Sequence, residues 1–73
     1  MNDEELKIKE KVEFFFKENI FVHIVKKDKE FLNGHIVRLY SDSVFILNER
    51  KLGNISVFLS DIYNIEEFRE VKG

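Results

Sequence analysis

A small α+β fold, mostly β, is what this 73-residue sequence predicts: an N-terminal helix followed by a strongly bent five-stranded antiparallel barrel. Three observations carry that reading. Apolar residues recur at helical spacing as far as Phe16, and from Ile20 onward runs rich in β-branched and aromatic residues replace them. The runs are separated by turn-forming clusters of a few residues, which makes neighbouring strands antiparallel. The longest run, residues 30–40, carries Gly34 near its middle.

The helix is expected over residues 3–18. Asn2 can cap it, and Glu5 three positions on completes a capping-box pattern. Ile8, Val12, Phe15 and Phe16 share one face, and Glu5 with Lys9 and Glu13 with Lys17 form i,i+4 pairs in the favourable order. Strands are expected at residues 21–26, 30–40, 43–48, 55–59 and 63–68, joined by turns at Lys27-Asp28-Lys29, Ser41-Asp42, Lys51-Leu52-Gly53-Asn54 and Ser60-Asp61-Ile62. A glycine inside a strand packs nothing, so it marks a sharp bend or a close backbone approach. A long second strand bent at Gly34 can take part in both halves of a small barrel. The turn after it has no glycine; Ser41, Asp42 and Ser43 are short polar residues whose side chains can hold a turn themselves.

One domain accounts for residues 1–73, near the lower size limit for a chain folding on its own core. With no Cys, neither a disulfide framework nor a thiolate metal site is available, which leaves packing and association as supports. A hydrophobic content of 44% with eight Phe is ample for a core. The formal charge is −2 and the sequence pI about 5.7, so no global field recruits nucleic acid or an anionic membrane. Locally, residues 20–53 carry six cations (Lys26, Lys27, Lys29, Arg38, Arg50, Lys51) against four acids, a weakly basic middle between acidic ends. No apolar run approaches the ~20 residues of a membrane span. The acidic opening Asn2-Asp3-Glu4-Glu5 has the wrong sign for a signal or transit peptide, so a cytoplasmic location is expected.

The residues offer little for catalysis. A hairpin centred on Asp28 and Lys29 sets His23 opposite Gly34 and His35 opposite Val22, so the two imidazoles face opposite sides; a loop one residue different sets them face to face. Either way two His without a third ligand make a poor metal site, and no metal or cofactor is expected. Ser41, Ser43, Ser56 and Ser60 lack a nucleophile elbow, and Glu66 and Glu67 point to opposite faces of a strand. No Gly-rich phosphate loop occurs, and the expectation is that the protein is no enzyme and takes no small-molecule substrate.

The helix, the bent strands and their punctuation together resemble the Sm-like (LSm/Hfq) family of small, SH3-type β-barrels. The carriers are "VHIVKKDKEFLNGHIV", "SDSVFILN" and "ISVFLSDIYNIEEF", and the likeness covers residues 5–68. The resemblance implies a non-catalytic ring of about six or seven subunits, joined through the edges of the fourth and fifth strands, that binds single-stranded RNA. In the family's first motif an acidic residue at the second turn precedes a base-stacking side chain and an Asn. Asp42 matches the acid, Val44 falls at the stacking position and Ile46 where the Asn would be. Tyr40 and Asn48 flank those positions out of step, with a turn about two residues longer than usual. The second motif's cation is missing from Phe58-Leu59-Ser60.

Single-stranded RNA needs stacking planes, polar groups for base edges and cations for phosphates. Tyr40, Asp42 and Asn48 are therefore the expected base contacts and Arg38 the phosphate contact, gathered about a turn that a ring would repeat around its pore. Residues 54–60 contain no charge and no Pro, and such an apolar edge is a liability unless something covers it: another chain, which the expectation favours, or else the N-terminal helix or the chain's own first strand. A second reading keeps the fold and the assembly without RNA, as a protein–protein module; the net negative charge and the missing second-motif cation favour it.

Overall fold

The computed structural model describes residues 2–69. Helix α1 (Asp3–Lys17) is followed by strands β1 (Phe21–Lys26), β2 (Phe31–Leu39), β3 (Val44–Glu49) and β4 (Gly53–Phe58). A single 3-10 turn, η1 (Leu59–Asp61), then leads into β5 (Ile62–Glu67). The expected elements are all present, with β4 beginning earlier than its apolar run, at Gly53, and β2 one residue shorter at each end.

Both ends of α1 are closed by short-range chemistry. Asn2 Oδ1 accepts the Glu5 N–H at 2.8 Å, satisfying one of the free donors of the first turn. At the other end Asn19 takes a left-handed conformation (φ 53°). The Ile20 N–H donates to the Phe15 carbonyl and the Asn19 N–H to the Phe16 carbonyl, the paired bonds of a Schellman cap. Alanine at position 19 should lower stability by about 1 kcal/mol and glycine should be neutral within about 0.5 kcal/mol, because only the Cβ penalty separates them. Thermal unfolding followed by circular dichroism measures the difference.

Along α1, Lys9 turns to Asp42 at 3.2 Å, rather than to Glu5, and Lys11 to Glu66 at 2.7 Å. Tertiary partners have displaced the i,i+4 pairing that the sequence favours for Lys9. The helix packs against β2, β5 and η1, burying Val12 and Phe15 in one cluster with Val22, Ile24, Leu47 and Ile65.

The strands form one antiparallel sheet in the order β4-β3-β2-β1-β5. Val57 of β4 and Ile65 of β5, from opposite ends of that order, belong to one buried cluster, so the sheet curls around a single core. The barrel is nevertheless not closed. η1 diverts the chain after β4, the Lys27 N–H holds the Asp61 carbonyl at 2.8 Å, and β5 is delivered to β1 instead of to β4. Among the described residues, β4 and β5 therefore each have a strand neighbour on one side only.

At Gly34 the β3 backbone lies directly against β2. A Cβ there would overlap the Asn48 carbonyl oxygen and stand 2.8 Å from its carbon and 3.0 Å from the Glu49 Cα. The bend itself is completed farther on, where the β2 register slips between Ile36 and Arg38 and leaves Val37 as the extra residue of a bulge. The following turn closes as its composition predicts, with the Ser43 N–H donating to Ser41 Oγ at 3.2 Å.

The first hairpin corrects the expected register. Lys29 adopts φ 72° and the Lys26 N–H bonds the Glu30 carbonyl, closing a loop of Lys27, Asp28 and Lys29. His23 consequently faces Asn33, and His35 faces Phe21. Residues opposite each other share a face, so both imidazoles lie on the same side of the sheet and not on opposite sides.

Candidate nucleic-acid interface

The four expected contact residues divide between separate places. Asp42, at the β2–β3 turn, sits on the rim of an open groove of about 450 Å³ between that turn and α1. Val12, Leu39, Val44 and Leu59 give the groove apolar walls, and Lys9 and Asp42 face each other across the top. Val44, at the position where the resemblance expects a stacking group, thus contributes an aliphatic wall. Lys9 was invisible to sequence reasoning, since only the packing of α1 brings it to a turn 33 positions away.

Arg38 and Tyr40 lie on the far side of the turn. The Arg38 guanidinium stands 5.7 Å from the centre of the Tyr40 ring, a cation–π spacing, and Tyr40 is 64% exposed. Arg38 pairs with Ile46 beyond the bulge, which turns it to the sheet face away from the core. Asn48 is on that same face, two residues along β3 from Ile46, and so stands diagonal to Arg38. It stands between His35 of β2 and Asn54 of β4. The structure therefore joins Arg38 to Tyr40 and Asp42 to Lys9, with Asn48 diagonal to Arg38 on the outer face and away from the turn that holds Asp42.

The first-hairpin cations are partly spent. Lys26 is held 3.7 Å from both Asp28 and Glu30 within its own turn.

The outer sheet face around Asn48 carries more than sequence reasoning assigned to it. Phe21 meets His35 at 5.0 Å and Phe68 at 5.2 Å, ring centre to ring centre, both edge to face. His23 lies 5.4 Å from Phe31, and its Nδ1 donates to Asn33 Oδ1 at 2.6 Å. Arg50 extends over the Phe68 ring at 5.8 Å. The signal for this cluster was present as alternation: residues 21 and 23 on one strand, 31, 33 and 35 on the next. It became readable only once the loop between them was known to be odd in length.

Beneath that face Glu49 is buried, 5% exposed, and its carboxylate ties the β3–β4 turn to β2. Oε2 accepts the Asn33 N–H at 2.9 Å, and Oε1 accepts the Lys51 and Leu52 N–H groups at 2.7 and 3.1 Å. The Arg50 N–H in turn donates to the Asn33 carbonyl at 2.9 Å. The hydrogen bond from Asn33, then those from Lys51 and Leu52 and the Arg50 charge, hold the carboxyl below its usual range against the opposing effect of burial. Glu49 thereby fixes the turn that presents Arg50.

No cluster of three or more metal-ligating side chains occurs among the described residues, and no helix among them is long and apolar enough to cross a membrane. No protein-family model matches the chain, and no curated protein matches it in sequence.

Proposed function

We propose that this chain is a non-catalytic Sm-like subunit that assembles through its β4 and β5 edges into a cytoplasmic ring and binds single-stranded RNA. One observation carries the assembly: a curled sheet left open between two edge strands, of which β4 (Gly53–Phe58) bears no charged residue. Natural edges are normally blunted by charge, Pro or a covering element, because an exposed ladder invites another chain. The open side is also rich in exposed apolar groups, with Leu52 at 65%, Phe58 at 49% and Tyr63 at 73%. Pairing the β4 of one copy with the β5 of the next satisfies both ladders and buries these side chains, and a repeated head-to-tail contact of that kind closes into a ring. Arg38, Tyr40 and Asp42 then recur once per subunit at the β2–β3 turn, where Tyr40 supplies a stacking plane and Arg38 a phosphate contact.

Native mass at two protein concentrations, before and after nuclease and with absorbance read at 260 nm, tests the reading. The expected result is about six or seven times the 8.8 kDa chain mass, stable to dilution, with nucleic acid released on digestion. An oligomer free of nucleic acid would keep the assembly and favour the protein–protein module. A monomer at both concentrations would sink the ring.

A further inference from the structure

We infer that the outer sheet face, centred on Phe31, His23, Phe21, Phe68 and Arg50, is a stacking platform for single-stranded nucleic acid, separate from the β2–β3 turn. Such a platform deepens the RNA-binding reading above and rests on it. Its first support is the concentration of planar groups. Three phenyl and two imidazole rings make a chain of neighbours 5.0–6.4 Å apart, at a place where the core needs none of them. Phe31 leaves 63% of its surface exposed, although a phenyl ring on a strand could have been turned inward by a change of register.

The second support is charge. The protein is net negative, yet the strand positions around these rings carry a single acid, Glu66, which Lys11 pairs at 2.7 Å. Arg50 stands over Phe68, and Arg69 joins His23 and Phe68 along an open depression of about 460 Å³ whose other lip is Glu66 and Glu67. A cationic border on an aromatic surface is what a phosphate backbone with unstacked bases requires. Amides complete the set: Asn48 and Asn54 stand side by side in the same cross-strand row as His35 and Phe21, within reach of base edges. A neutral or basic polypeptide would have no comparable use for guanidinium groups bordering rings. Bases stack on the rings, the arginines take phosphates, and the asparagine amides read base edges.

Fluorescence anisotropy of labelled twelve-nucleotide oligo-U, oligo-A and oligo-dT, each at two salt concentrations, tests the platform with the full chain. The doubly substituted F31A/R50Q protein, altered only at exposed side chains and checked for folding by circular dichroism, should bind about tenfold or more weakly. Its log–log salt slope should be shallower by about one, because glutamine at position 50 no longer neutralises a phosphate. In a Phe31→Trp protein, which has no other tryptophan, saturating oligonucleotide should quench the indole emission. Binding by F31A/R50Q within twofold of the parent, combined with loss of binding in Tyr40→Ala, would overturn the platform and leave the RNA-binding reading intact. Absence of binding by the parent protein to every oligonucleotide at low salt would overturn both. A change of native mass in F31A/R50Q with unchanged oligonucleotide affinity would make this face a contact between copies, and would also overturn the platform.

Discussion

Gly34→Ala is expected to cost roughly 3 kcal/mol or more, a large part of the stability available to a domain of this size. The cost is steric and does not involve the glycine's dihedral freedom. A methyl group at position 34 meets the Asn48 carbonyl and the Glu49 Cα, which are backbone atoms of the adjoining strand. Overpacking in a core is relieved when a neighbouring side chain changes rotamer; here the obstacle is the β3 backbone, so β2 and β3 must separate. Separation loosens the pairing from Gly34 to Leu39 and with it the bond between Asn33 and Glu49. Gly53 provides the control. It lies at φ 77° with no atom within 4 Å of where a Cβ would stand, so Gly53→Ala should cost only the left-handed penalty of about 1–2 kcal/mol. Urea midpoints of the two variants decide the matter. Equal losses would mean that the close approach at Gly34 contributes nothing special.

Removing the Glu49 carboxylate has the second largest expected effect. Glu49→Ala strips the acceptor from three N–H groups at once, one buried and two half-buried, and hydrogen bonds to a charged partner contribute about 1.5–3 kcal/mol each. Relaxation and water entry at the turn reduce the sum, so a net loss of about 3 kcal/mol is expected. Glu49→Gln keeps the shape but points an amide donor at one set of donors, and should lose somewhat less. The charge also makes the contribution pH-dependent. The folded-state pKa lies below the ordinary value of 4.5, so folding stabilises the ionised form. That stability is fully present above the unfolded-state pKa and is lost as pH falls through the folded-state one. The gap in urea midpoint between the parent and Glu49→Gln should therefore be constant near neutrality and shrink below about pH 4.5. A gap that is unchanged at pH 3, or that widens there, would show that the carboxylate is not held ionised by these bonds.

Sequence reading went furthest where structure is decided locally. The cap by Asn2, the serine-held turn at Ser41 and Ser43, the switch of periodicity after the helix and the position of every strand follow from residues within a few places of one another. Gly34 was legible as a special position for the same reason: an absent side chain inside an apolar run has few physical uses. Of the expected contact residues, Arg38 and Tyr40 were correctly seen as neighbours because they stand only two positions apart in the chain. Asn48 was grouped with them by proximity in sequence; the register sets it diagonal to Arg38 on the outer face, several residues along β3 from the turn that holds Asp42.

What the sequence by itself determined is the set of elements, the bent second strand, the uncharged fourth strand and the lack of any thiol chemistry, because each is a property of composition or short spacing. Tertiary structure alone decided the parity of the first hairpin, the pairing of Lys9 with Asp42, the burial of Glu49 and the open side between β4 and β5. The physical reason is the same in each case. One residue in a left-handed conformation at Lys29 moves a whole strand's side chains to the other face, and that choice costs about as little as its alternatives until the sheet and helix pack around it. Long-range contacts then select among local solutions of nearly equal energy, and the aromatic face bearing both histidines is the result of that selection.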